Sequence, residues 1–103
     1  MKLMLHLTFP TEKLNEMLKA GTAGPRIRKI IEETKAEAAY FGVASGGERG
    51  AAVVVDIETA DQIPAVTEPW YMGLGAKVET SVVMTIEDIG KIDYESLANT
   101  YLD

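Results

Sequence analysis

Residues Lys2 to Phe9 impose a two-faced strand. Leu3, Leu5, Leu7 and Phe9 alternate with Lys2, Met4, His6 and Thr8, a period of two that belongs to extended chain. The leucine face has to be covered by helices, because a sheet face that apolar cannot stay wet in a chain this small. The other face is mixed, so whatever covers it meets Met4, His6 and Thr8 as well as plain hydrocarbon.

The rest of the chain supplies the covering. Pro10 ends the strand and Thr11 can cap a helix carrying Leu14, Met17 and Leu18, which Gly21 stops. Gly24-Pro25 restarts the chain, and Ile27, Ile30, Ile31 and Thr34 recur at i, i+3, i+4 and i+7, an amphipathic helix of about three turns. The two pieces can form one bent unit. Ala38 to Ala44 reads as a second strand, Ser45 to Gly50 as a glycine-rich turn and Ala51 to Glu58 as a third strand, together a hairpin. The turn lacks the spaced glycines, the lysine and the following helix of a phosphate-binding loop.

Thr59 to Ala76 reads as a helix that Thr59 or Asp61 can cap, with Pro64 in its first turn. Pro69 is expected to kink or restart it, and Gly73 and Gly75 to unwind its end. Lys77 to Thr85 is a fourth strand, in which Val78, Thr80, Val82 and Met84 alternate with Glu79, Ser81 and Val83. Ile86 to Asp103 carries a weak helical pattern (Ile89, Ile92, Leu97, Tyr101) and is expected to be a C-terminal tail or helix.

The order βαββαβ predicts a single α+β domain over residues 1–103 with the ferredoxin-like arrangement: a four-stranded antiparallel sheet in spatial order four, one, three, two, with both helices on one face. The bare face then carries Met4, His6, Thr8, Tyr40, Gly42, Ala52, Val54 and Asp56. Glu79, Ser81 and Val83 join them if Val78, Val82 and Met84 sit under the helices. A second copy of the chain is expected to bury that face and leave a lined cavity between the two sheets.

Composition narrows the function. The net charge of −6 and pI near 4.7 leave no basic footprint for nucleic acid. There is no cysteine, so disulfides, thiolate chemistry and cysteine-rich zinc sites are excluded, and a lone histidine does not make a metal centre. No apolar run nears the ~20 residues that span a bilayer, and Met1–Phe9 lacks a small-residue cleavage site, so a cytoplasmic protein is expected.

His6 is the residue type whose charge ordinarily changes near neutral pH. A fourth strand antiparallel to the first brings Glu79 to late strand one, near His6 or Thr8. A His–Glu pair of that kind can orient an imidazole for proton transfer; the alternative is a single histidine hydrogen-bonded in a dimer core. Tyr40 can donate to a bound carbonyl or simply pack. Trp70 and Tyr71 point about 100° apart on a helix, one plugging the core and the other free to line a pocket or an interface. Glu68 can cap the Pro69 restart or meet a ligand.

The run Glu68-Pro69-Trp70-Tyr71-Met72-Gly73-Leu74, then Ala76-Lys77-Val78-Glu79 and Val82-Val83-Met84, resembles a group of small bacterial proteins of unknown function in the dimeric α+β barrel superfamily. Lys2 to Phe9 and Ala38-Ala39-Tyr40-Phe41 match the same group. The resemblance implies two ferredoxin-like subunits packed sheet to sheet. It also implies distant kinship with muconolactone isomerases and cofactor-free antibiotic-biosynthesis monooxygenases.

The expected function is therefore a homodimeric binder of a small, apolar molecule at the sheet face, without metal or cofactor. Met4, Tyr40, Val54, Glu68, Trp70 and Tyr71 are the candidate contacts. The alternative is a cofactor-independent isomerase or monooxygenase acting on a small apolar or aromatic compound, with His6 as the acid–base group and Glu79 orienting it.

Overall fold

The structure is a computed structural model that describes residues 1–103. It contains strands β1 (Lys2–Thr8), β2 (Ala38–Val43), β3 (Arg49–Asp56) and β4 (Lys77–Val83). The helices are α1 (Thr11–Ala20), α2 (Ala23–Glu33), α3 (Ile63–Leu74), α4 (Ile86–Gly90) and α5 (Tyr94–Tyr101), with one 3₁₀ turn at Ala60–Gln62. The strands form one antiparallel sheet in the order β2-β3-β1-β4. This is the ferredoxin-like α+β topology expected from the βαββαβ order.

Register explains why the helices cover one side. β1 pairs Leu3 with Val55, Leu5 with Val53 and Leu7 with Ala51 on one flank, and Leu3 with Val82 and Leu7 with Val78 on the other. Leu3, Leu5, Leu7, Val53 and Val55 are buried against Leu14 of α1, Ile30 of α2, and Val66, Trp70 and Leu74 of α3. Each such side chain removed from water contributes about 1.5–3 kcal/mol before the entropy of ordering it. Trp70 lies at the centre, its ring 6.4 Å from that of Phe9 and tilted by 52°.

Several local expectations change. The two helical pieces after β1 are separate helices, because Gly21 takes a left-handed conformation (φ 75°) that ends α1. Thr11 is the first residue of α1, and its side chain caps nothing; Pro10 precedes it in extended conformation. β3 begins two residues earlier than the valine run suggests, since Arg49 and Gly50 pair with Val43 and Gly42.

Pro69 does not restart α3, which runs unbroken through it. The lost backbone bond is offset because Val66, Trp70 and Leu74, spaced four apart, anchor the helix on the sheet. Gly73 is not an unwinding point either. It sits where α2 and α3 meet: a Cβ there would lie 3.4 Å from both Arg26 Cδ and Ile30 Cδ1, and its carbonyl accepts a hydrogen bond from Arg26 Nη1 (3.1 Å). Gly75 is the residue that ends the helix, at φ 64°.

Candidate functional site

The side of the sheet away from α1, α2 and α3 is laid out in rows by the strand pairing. One row reads Ala38, Val54, Met4, Ser81; the next Tyr40, Ala52, His6, Glu79; the last Gly42, Gly50, Thr8, Lys77. In the middle row a methyl-sized residue, Ala52, stands between Tyr40 and His6. In the last row two glycines lie side by side. Small residues ringed by larger ones make a depression, and the structure has one there: an open hollow of ≈ 470 Å³ lined by His6, Thr8, Tyr40, Gly42, Ala52, Glu79 and the β2–β3 turn from Ala44 to Ser45.

The two glycines differ in kind. A Cβ on Gly50 would lie 2.5 Å from the carbonyl oxygen of Leu7 and 2.9 Å from Ala44 Cβ, so the backbone itself forbids a side chain. A Cβ on Gly42 would meet nothing within 4 Å, and its missing side chain is open space in the hollow.

The pairing sets His6 directly opposite Glu79. Cβ atoms of such partners lie about 4.5–5.5 Å apart, though no hydrogen bond or ion pair joins this imidazole to this carboxylate. Both side chains are exposed, as is Tyr40. The hollow thus offers a titratable imidazole, a carboxylate and a phenol around an apolar floor. That set can hold a small flat molecule and move a proton on it. No three of the chain's His, Asp and Glu side chains converge as metal ligands.

The other candidate residues separate by position. Met4 and Val54 face each other in the adjoining row, half-buried, beside the hollow but outside its lining. Glu68, Trp70 and Tyr71 belong to α3, on the opposite side of the sheet, and they do not reach the hollow. Trp70 is the core plug, fully buried, with its indole N–H unpaired. Tyr71 is partly exposed and its hydroxyl donates to the Val78 carbonyl at 3.4 Å. α3 packs on one side of the sheet and the hollow opens on the other, so these three residues are not contacts of the hollow. Conversely, the hollow's rim includes Phe41, Val43, Ala44 and Ser45, which the strand pattern alone does not single out. Their signal was the Gly42–Gly50 pair at the base of the hairpin, visible only once the register is known.

The far end of the same face is charged. Lys2 Nζ donates to Glu37 Oε1 at 2.6 Å across the neighbouring strand, and this hydrogen bond, with the nearby carboxylates of Asp56 and Asp88, raises the Lys2 ammonium above its usual value. The open face therefore has an ion pair at its Lys2 end and the hollow at its Thr8 end.

No family model and no curated protein matches the chain. Among solved structures it is similar to the de novo designed protein Ferredog-Diesel, at 13% identity and a TM-score of 0.42, over 80% of this chain and 85% of that one. No helix is long and apolar enough to cross a membrane.

Proposed function

We propose that the chain is a homodimeric small-molecule-binding protein whose hollow at the Thr8 end of the open sheet face takes a small apolar or aromatic compound. The observation that carries this reading is the ≈ 470 Å³ hollow, floored by Ala52 and Gly42 and edged by His6, Tyr40 and Glu79. Its size is in the range of pockets that enclose small ligands, and its mix of apolar floor and few polar groups is typical of them. Packed against a second copy, the open hollow becomes a closed cavity, as in the dimeric α+β barrels that the sequence resembles.

2-Naphthol titrated into isotope-labelled protein tests this. Saturable shifts of the His6, Thr8 and Ala52 amides are expected. Gly42→Val, which fills the hollow without meeting any atom at its Cβ, should remove them and leave the rest of the spectrum unchanged. Shifts confined to α3, or none at all, would refute the assignment.

The pairing of His6 with Glu79 favours a second reading, a cofactor-independent enzyme that begins with proton abstraction. His6 takes a proton from carbon beside a carbonyl, and Glu79 holds the imidazole and stabilises its charged form. Returning the proton elsewhere is an isomerisation; a deprotonated substrate that reduces O₂ itself gives an oxygenase. Solvent deuterium exchange at the α-carbon of 1-tetralone should run faster with the protein than with buffer, and His6→Asn should abolish the difference. A general base of this kind contributes about 10²–10⁴-fold.

A further inference from the structure

The last 18 or so residues form an arm with no place in the subunit that bears it. Thr85 starts α4 with a reciprocal cap: its N–H donates to Asp88 Oδ2 (3.0 Å) and its Oγ1 accepts from the Asp88 N–H (3.1 Å). Asp93 caps α5 by accepting from Ser96 N–H at 2.9 Å. Yet none of the residues of α4 or α5 is buried. Tyr94, Leu97, Ala98 and Tyr101 fall at i, i+3, i+4 and i+7, one continuous stripe, and Ile86, Ile89 and Ile92 precede it. Ile86 is 76% exposed and Tyr101 78%. A helix of eight residues is marginal in water by itself, since isolated helices need about 12–15 residues. The molecule measures 60 × 28 × 20 Å with a radius of gyration of 17.2 Å, against about 13 Å for a compact chain of this length.

We infer that the arm of one copy closes the hollow of the other, so that α5 supplies the missing wall of each binding cavity. This rests on the sheet-to-sheet dimer proposed above. Three observations select a second copy as the occupant. First, the arm leaves its own sheet at the end away from that subunit's hollow. β4 ends at Val83, which pairs with Lys2, whereas the hollow lies at Thr8, six residues along the strand or about 20 Å away. A two-fold axis lying between the sheets and across the strands reverses the partner's strands, and each arm then exits beside the partner's hollow. From there it has to cross three strand spacings, about 14 Å, to reach β2.

Second, the hollow's outer edge on β2 is itself uncovered: Tyr40, on the open face, is 71% exposed, beside the empty space over Gly42. Third, the sheet faces alone are too small. Four strands at about 4.8 Å spacing and about 23 Å long give roughly 440 Å² per partner, short of the ~800 Å² of an ordinary stable interface. The arm supplies the remainder.

The chain contains no cysteine, so introduced thiols are unique. Leu97→Cys and Tyr40→Cys proteins are mixed, unfolded and refolded together, and treated with a short bismaleimide. A mixed cross-linked dimer is expected. In the full chain, Leu97→Asp at its exposed site should leave the subunit folded, weaken dimerisation at least tenfold and weaken 2-naphthol binding with it. Dimers that cross-link only Leu97→Cys to Leu97→Cys, or give no mixed product, overturn the arm's role and leave the sheet-to-sheet dimer standing. A full-length chain that stays monomeric removes both.

Discussion

Gly50 is the residue where the sheet is least forgiving. Its would-be Cβ meets main-chain oxygen, which cannot step aside as a flexible side chain can. Gly50→Ala should cost about 1–3 kcal/mol in a urea titration followed by the single tryptophan, while Gly46→Ala in the nearby turn, where a Cβ meets nothing, should cost little. Trp70 offers a second contrast. Trp70→Ala should cost about 3–5 kcal/mol through the cavity it leaves. Trp70→Phe should cost clearly less, because it keeps most of the volume and removes an unpaired buried N–H. That one of Trp70 and Tyr71 fills the core was legible from their helical spacing. Which one does was not, and neither was the reason for Gly50, because a close approach between strands is a property of the packed sheet and leaves no trace in the order of residues.

At the scale of elements, the alternation in β1 was enough to assign the leucines to the helix side and His6 to the open side; antiparallel pairing brought Glu79 near His6 or Thr8, and the register decides for His6. Pro69 misled for a physical reason: propensity is local, and three anchoring side chains of α3 outweigh one missing hydrogen bond. The start of the arm should respond to acid in a defined direction. The hydrogen bond from the Thr85 backbone, then that with its side chain, holds the Asp88 carboxyl below its ordinary value. The cap's contribution is therefore present above the unfolded carboxylate pKa of about 3.9 and is lost as pH falls through the lower folded value. Amide shifts of Glu87 to Gly90 should hold steady down to that range and then move together; Thr85→Ala should shift the transition to higher pH. At the other extreme, the raised Lys2 contributes below the ordinary lysine value of 10.5 and loses its partner Glu37 only as pH climbs through the higher folded value.

For the whole molecule, two unfinished surfaces need explaining together: a half-apolar sheet face with a hollow at one end, and an apolar-striped arm in which no residue of α4 or α5 is buried. The first could be anticipated from the strand pattern, since βαββαβ order puts every connecting helix on one side. The second could not. The helical pattern of residues 86–103 is visible in the sequence, but a stripe does not say what covers it, and no residue of α4 or α5 is buried within the chain. A two-fold dimer satisfies both surfaces with one interface. Sedimentation velocity of the full chain at micromolar concentration tests this most directly. The account predicts a single species of twice the 11.2 kDa chain mass; a species of the single chain mass would contradict it.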